Sequence, residues 1–476
     1  MNNERFHSRC HLLAHRCTLI VNEKLMDLPE KFIAQMQHIL GAEYPAFVES
    51  LEQKPPTAIR INTKKNLDLS TLFGKDLSPV KWNIDGFYLP QRPVFTLDPA
   101  FHAGAYYVQE ASSMFVAEAI KQTVDLAKPL KIMDLCAAPG GKSTLLASLL
   151  NDKSLLVANE VIKSRIGALK ENLEKWGYPN YLVSNHDPEE MIDLEGFFDV
   201  VLTDAPCSGE GLFRKDPKAS KEWSENSVQL CSARQKRILQ AAAMLVAPNG
   251  FLCYSTCTYN EKENEQNALW LTQAADFEEV KLTIPAEWGI VERTYGYQFF
   301  PHKLVGEGFY FAIFRKTRGD KQEARGRIKF NRVSQKKVDV LKKWLEKPDN
   351  FEFFEKPEGS IIAIPANLTN EYATIFRVLQ KRSSGLEIGQ FKGDDFVPSH
   401  DLALSTAIAS ELPAIELSKE DALKFLKREN FTVENRANGW LLARYEGLNL
   451  GFMKVIGDRI NNYLPKEWRI RMEIPE

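Results

Sequence analysis

Between residues 106 and 316 the chain alternates short apolar runs with helical patterns, and no other feature narrows its fold as much. "LKIMDL" at 130–135 is a strand-like run that ends in a Gly-rich turn. The helix pattern after it carries Leu145, Leu146, Leu149 and Leu150 on one face. "LLVAN" follows, then Ile166, Leu169, Leu173 and Trp176 at helical spacing, stopped by Gly177. "YLVSN" and "FDVVLTDAPC" read as further strands. A long helix over about 226–247 stops at "PNG", "GFLCYSTC" is another buried strand, and "GFYFAIFRK" closes the series. This alternation predicts an α/β, Rossmann-like domain with a mainly parallel sheet and helices on both faces.

The 476 residues are enough for further domains on either side. Residues 26–105 predict a small α+β domain, with a helix near 29–40 and a strand in "TAIRINTKK". Residues 317–390 open with the basic stretch "TRGDKQEARGRIKFNRVSQKKVDVLKK" and continue as a small mixed subdomain. Residues 391–476 form a strand-rich end, where "GWLLARYEGLNLGFMKVIG" holds two β-like runs around a turn. Residues 1–25 are polar and rich in His and Cys, and read as a flexible extension or as a start placed ahead of Met26. Their Cys10, His11, His15 and Cys17 lack the spacing of a closed zinc site, so no metal is expected.

A net charge of -2 excludes a globally basic nucleic-acid binder but leaves room for local basic patches. No apolar run approaches the roughly 20 residues that span a bilayer, so no membrane partner is expected. The 7 cysteines are odd in number and widely spaced, which argues against a secreted disulfide framework and for a reducing cytoplasm.

Three motifs carry chemistry. "DLCAAPGGKST", Asp134 to Thr144, lies where a strand opens into a helix. It lacks G-x-G-x-x-G, and Cys136 stands where a P-loop needs Gly, so neither a dinucleotide fingerprint nor Walker A fits. A loop cradling S-adenosylmethionine does fit: Cys136, Ala137, Ala138, Pro139, Gly140, Gly141 and Lys142 let the backbone approach, and a helix N-terminus offers free N–H groups. Glu160 ends the second strand, where a doubly wound fold puts the acid that binds ribose. Asp187, beyond the third strand, is placed to reach the adenine edge. The other motifs, "DAPCSGEGLFRKDP" and "YSTCTYNEKENE", set Cys207 and Cys257 directly after strands, where catalytic residues belong. Cys231, on a helix, and Cys253, inside a strand, read as small hydrophobes.

Together these motifs resemble the Nop/Sun family of RNA (cytosine-C5) methyltransferases. "PPTAIRINT", "YYVQEASSM" and "PHKLVGEGFYFAIFRK" are also similar to family segments, and "GFMKVIGDRINNYLPKEWRI" resembles the PUA-like end domain of its bacterial RsmF-type branch. The resemblance implies a class I S-adenosylmethionine-dependent methyltransferase domain between an N-terminal RNA-binding domain and a PUA-like domain. It implies cofactor contacts at Cys136 through Lys142, Glu160, Asp187 and Asp204, with Cys257 as nucleophile and Cys207 as the helper that releases product. The implied substrate is a cytosine in small-subunit (16S) ribosomal RNA, free or in the subunit, met by a monomer with no DNA partner. A transfer-RNA substrate, a DNA-type enzyme using Cys207, and a non-catalytic ribosome-assembly protein are the competing readings. Arg60, Lys64, Lys65, Arg214, Lys215, Lys218 and the stretch 317–343 are the candidate phosphate contacts.

Overall fold

The structure, a computed structural model, describes residues 28–65, 72–74, 77–383, 385–433 and 437–473. The expectations for residues 1–25 lie outside them.

The alternating region forms a nine-stranded sheet. Its parallel core comprises β5 (Lys131–Asp134), β6 (Leu155–Asn159), β7 (Tyr181–Ser184), β8 (Phe198–Asp204) and β9 (Val246–Thr256). In space these run β9-β8-β5-β6-β7, and β13 (Phe309–Lys316) joins β9 antiparallel. Strands buried on both faces must be apolar throughout, which is why β6 is the unbroken run Leu155 to Asn159, all buried. Neighbouring residues split between the two faces. Ile132, Leu156 and Val200 enter one core, while Met133, Val157 and Val201 enter the other. The chain leaves β5 toward β6 on one side, and β8 returns on the other. That reversal opens a crevice at the carboxyl ends of β5 and β8, the usual ligand position of such sheets.

Before this sheet, β1 (Thr57–Ile61), β2 (Ser78–Val80), β3 (Asn83–Leu89) and β4 (Tyr106–Val108) make a small antiparallel sheet in the order β2-β3-β1-β4. Because β4 pairs with β1 through Val108↔Ile59, this unit runs past the expected boundary at 105. After the nine-stranded sheet, β14 to β18 form a five-stranded sheet over residues 331–398, and β19 to β22 a four-stranded sheet over 414–462. The expected boundary at 391 falls inside β17 (Leu386–Lys392), so it cuts a strand rather than a linker. The last sheet shares a core with the first: Ile59, Phe95 and Tyr106 pack with Leu423, Phe425 and Leu441. The two end units therefore clasp each other across the chain.

Candidate active site

The Gly-rich motif is held through its backbone, by main-chain and side-chain partners alike. Ala137 N–H donates to Asn159 O at 2.8 Å, tying the turn after β5 to the end of β6. Gly140 has φ +113°, a left-handed value a side chain would strain, and opens the helix Gly141–Leu149. Asn172 donates to Pro139 O at 2.9 Å from the neighbouring helix. Glu160 is buried, accepting from Ala138 N–H at 3.3 Å and Ile162 N–H at 2.8 Å, with Arg165 3.3 Å away. The Cys136 thiol is pushed up by burial and then by Asp134, Asp204 and Glu160, so it serves as a wall and not as a thiolate.

Asp134 is the residue the motif analysis passed over. It ends β5 fully buried, and Ser143 Oγ donates to its Oδ2 at 2.6 Å. Its Oδ1 is buried with no partner in the structure. Burial pushes its carboxyl up to about 7. A small-residue cradle, an unpartnered buried oxygen and a second buried carboxylate on the next strand suit a ligand with an amino acid end and a ribose. The residues present therefore fit S-adenosylmethionine. The signal for Asp134 was its place at the strand end, first in the motif.

Asp187 sits beyond the end of β7, as expected, but its carboxylate is engaged. It caps the 3-10 turn Pro188–Leu194 and pairs with Arg237 at 3.1 Å. Burial works to raise it, but Arg237 and the Glu189 N–H win and hold it below its usual value.

On the other side of the crevice, β8 and β9 end side by side, with Asp204 in register with Ser255. The loops leaving them bring the Cys207 and Cys257 sulfurs to 3.1 Å, and Cys257 N–H points at Cys207 Sγ at 3.3 Å. The next residues, Ser208 and Thr258, join hydroxyls at 3.0 Å. Two buried carboxylates fasten the loops. Glu210 accepts from Tyr259 N–H at 3.0 Å, the Trp223 indole at 3.0 Å, Asn260 at 3.3 Å and Gln35 at 3.1 Å. Glu263 accepts from Ser208 N–H at 3.0 Å and Gln235 at 2.8 Å. Burial pushes Glu263 up to about 7 and raises Glu210 too. The loops also touch "GEGFY" closely: a Cβ on Gly211 would stand 2.5 Å from Gly308 O.

Cys207 is raised well above the usual thiol range, first by its hydrogen bond with Cys257 and then by burial. Asp204 accepts from Ser255 Oγ at 2.7 Å and pairs with Lys142 at 2.7 Å. Lys142 starts the cradle's helix, so this ion pair joins the two halves of the mouth. Burial works to lower its ammonium, but Asp204, Asp134 and Cys257 outweigh it and keep Lys142 above its usual value.

Three of the expected phosphate contacts, Arg60, Lys65 and Arg214, are structural. Arg60 is buried under the cradle's helix, donating to Gln109 at 2.9 Å, Thr144 at 2.6 Å and Ser148 at 3.1 Å, over the Trp176 ring. Its burial lowers it to about 10. Lys65 donates to the Ala103 and Lys175 carbonyls and is pushed down to about 7 by burial. Lys64 stands over Tyr178 and 3.6 Å from Asp152. Arg214 is locked to Glu307 at 3.0 Å and to Gly306 O at 2.6 Å, and Lys215 reaches the same carboxylate at 3.6 Å. Of that set, Lys64, Lys215 and Lys218 are exposed. Arg and Lys look alike in sequence whether they face water or a buried carbonyl. Among the described residues, no group of three or more His, Cys, Asp or Glu could hold a metal, and no helix is long and apolar enough to cross a membrane.

The sheet with its antiparallel β13, the cradle after β5 and the paired strand-end cysteines define a class I S-adenosylmethionine-dependent methyltransferase fold, extended by an N-terminal and a PUA-like domain. Residues 122–315 match the family described as "16S rRNA methyltransferase RsmB/F", 28–111 the "N-terminal domain of 16S rRNA methyltransferase RsmF", and 412–470 the "Methyltransferase RsmF PUA domain". The ribosomal RNA small subunit methyltransferase F of Vibrio vulnificus (strain YJ016) is 31% identical over 464 residues, covering 92% of this chain and 97% of that one. Its counterpart from Escherichia coli O9:H4 (strain HS) is 28% identical over 467 residues, covering 92% and 96%. The chain belongs to the ribosomal RNA small subunit methyltransferase F family. Among solved structures, a methyltransferase homolog from Pyrococcus horikoshii has TM-score 0.53 at 26% identity, covering 61% of this chain and 96% of that one. NSun6 from the same organism shares the fold, with TM-score 0.53 at 21% identity, covering 62% and 100%.

Proposed function

We propose that this protein transfers a methyl group from S-adenosylmethionine to C5 of a cytosine in 16S ribosomal RNA, through a covalent bond between Cys257 and C6. The observation that carries the reading is the pair of sulfurs 3.1 Å apart at the ends of β8 and β9, joined to the cradle by Lys142 and Asp204.

C5 of cytosine is a weak nucleophile. When the Cys257 thiolate adds to C6, the ring becomes an enamine, and C5 gains the electron density to attack a methyl group. Bound in the cradle, S-adenosylmethionine supplies that methyl as an electrophile. Residues Cys136 through Lys142 would line it, with Asp134, Glu160 and Asp204 as its acidic contacts. Asp187 would join them only after releasing Arg237. Lys142, paired with Asp204 at 2.7 Å, places a cation between the cradle and the cysteine half. Asp204, held by Ser255 and Lys142, is the acceptor for the cytosine N3–N4 edge and stabilises charge there.

Product release needs a base for the C5 proton. Its removal returns the electrons to the C5–C6 bond and expels Cys257 as a thiolate. The main influence holding Cys207 protonated is Cys257 itself. Once the Cys257 sulfur is bonded to C6 that influence is gone, so Cys207 becomes easier to ionise at the stage where a base is needed. The target base must be unstacked to expose C6.

Bisulfite sequencing of ribosomal RNA from a strain lacking the protein tests this reading. One or more 5-methylcytosines should vanish from 16S ribosomal RNA and return with the wild-type gene. An intact 16S pattern, with a mark lost from transfer RNA instead, would replace the substrate.

A further inference from the structure

The basic stretch 317–343 divides into two parts. In the second, four of the five cations have partners within the subdomain: Arg332 with Glu352 at 2.8 Å, Lys336 with Asp394 at 3.9 Å, Lys337 with Glu355 at 3.4 Å and Lys342 with Asp349 at 2.7 Å, while Lys343 is exposed. In the first, 317–330, Lys321 is paired with Asp199 at 3.5 Å. Arg318, Arg325, Arg327 and Lys329 are exposed, and none has an ion pair or a side-chain hydrogen bond among the described residues. Within 317–330 the sequence holds five cations and two acids, Asp320 and Glu323.

This part has no helix or strand but is fixed in place. Gln322 N–H donates to Gly196 O at 3.1 Å. Arg325 N–H donates to Thr374 Oγ1 at 2.7 Å, and that hydroxyl donates back to Arg325 O at 2.9 Å. Ala324, Ile328 and Phe330 pack on the core under the sheet, while Arg325, Arg327 and Lys329 face water. Side chains two residues apart on an extended chain stand roughly 6.5 Å from each other. The result is a row of exposed like charges held in place by its backbone, with no acidic partner among the described residues.

Its position is the informative part. Gly196 lies just before β8, and the stretch leaves β13 beside the start of β9, where Arg315 pairs with Phe251. The cysteines lie past the other end of β8, about 20 Å away along a strand of this length. Nucleotides immediately flanking a base at Cys257 do not reach the start of this stretch.

We infer that the row Arg318, Arg325, Arg327 and Lys329 docks the phosphate backbone of an RNA segment remote from the methylated cytosine, so that the enzyme reads a folded ribosomal RNA and not a local sequence alone. This rests on the ribosomal RNA reading above. Arg325, Arg327 and Lys329, at every second residue, with Arg318 seven residues upstream, suit a polyanion of regular charge spacing better than a folded acidic protein. The row lies between the matched segments 122–315 and 412–470.

The test is the triple variant Arg325→Glu/Arg327→Glu/Lys329→Glu, with a Gln triple variant as the milder control. Both are first checked for an unchanged melting temperature and cofactor affinity. Affinity for full-length 16S ribosomal RNA is measured by filter retention across a salt series. Methyl transfer is compared on full-length RNA and on a short RNA spanning only the methylated cytosine. The Glu variant should weaken full-length binding by about tenfold or more and flatten the log–log salt slope by about 2–3, with the Gln variant between it and wild type. Turnover of the short RNA should not change. Equal losses on short and full-length RNA, or an unaltered salt slope, would overturn the docking role. A loss seen only with the assembled small subunit, with naked RNA binding intact, would assign the row to a ribosomal protein. If the wild type binds 16S ribosomal RNA yet methylates no cytosine in it, either free or in the small subunit, the functional reading fails, and the binding series still decides the docking role.

Discussion

The two halves of the mouth are built in opposite ways. The lining of the cradle comes from one unbroken run, Asp134 to Thr144, with Glu160 added, and its backbone is braced by Asn159, Arg165 and Asn172 and, under its helix, by Arg60. The cysteine half is assembled from segments far apart in sequence. Gln35, Glu210, Trp223, Gln235, Asn260 and Glu263 all hold the two loops, and Gln35 comes from the helix Glu30–Leu40 of the N-terminal region. The difference follows from the tasks. A cradle needs a backbone that a ligand can approach. Two thiols from separate strands need a scaffold that keeps them in register. Lys142 is the direct bridge, through Asp204.

If the halves are this distinct, breaking one should spare the other. The largest effect is expected at Glu210. Replacing it with Ala strands the Tyr259 N–H and the Trp223 indole among buried groups, at a cost of about 3–5 kcal/mol in stability. Urea denaturation reads that cost. At temperatures where the variant remains folded, methyl transfer should be lost while cofactor affinity stays within about twofold. Cofactor affinity falling with it would merge the halves.

Next is the pH behaviour of Glu263. Its pKa in the fold is raised from 4.5 to about 7 by burial, so its protonated form is the one the fold favours. That contribution is full below about pH 4.5 and is lost as pH rises through about 7, amounting to at most about 3 kcal/mol. Glu263→Gln should flatten the stability profile over that window relative to wild type. Asp134 titrates in the same range and remains in both proteins, so the difference between them isolates Glu263. An identical slope in the two would remove Glu263 as the source.

The smallest of the three effects belongs to the cradle. Glu160→Ala should weaken S-adenosylmethionine binding by about 1.5–3 kcal/mol, read by calorimetry. Saturating the variant with cofactor should restore methyl transfer, since the cysteine half is untouched. Unchanged affinity in a folded variant would take Glu160 out of the site.

What was legible in the sequence tracks this same contrast. Strand–helix alternation anticipated β5 to β9 because a doubly covered parallel strand has to be apolar along its length, and the three motifs marked the strand ends correctly. The network under the cysteines was not legible. Nothing near Gln35 signals that it meets a carboxylate at position 210, since pairing across the chain leaves no local pattern. The cations misled for a related reason: Arg60 and Lys65 sit in a strand and turn that fold inward, so their charge became part of the packing. The boundary at 391 was placed on composition, and composition does not change where a strand continues.

The central claim is that the two thiols share one pocket with opposite roles, and denaturing electrophoresis of labelled RNA with Cys257→Ala and Cys207→Ala side by side tests it most directly. With cofactor present, Cys257→Ala should give no methylation and no covalent complex. Cys207→Ala should trap a protein–RNA adduct that survives denaturation, because attack proceeds and release fails. A stable adduct with Cys257→Ala and none with Cys207→Ala would contradict the assignment and make Cys207 the nucleophile.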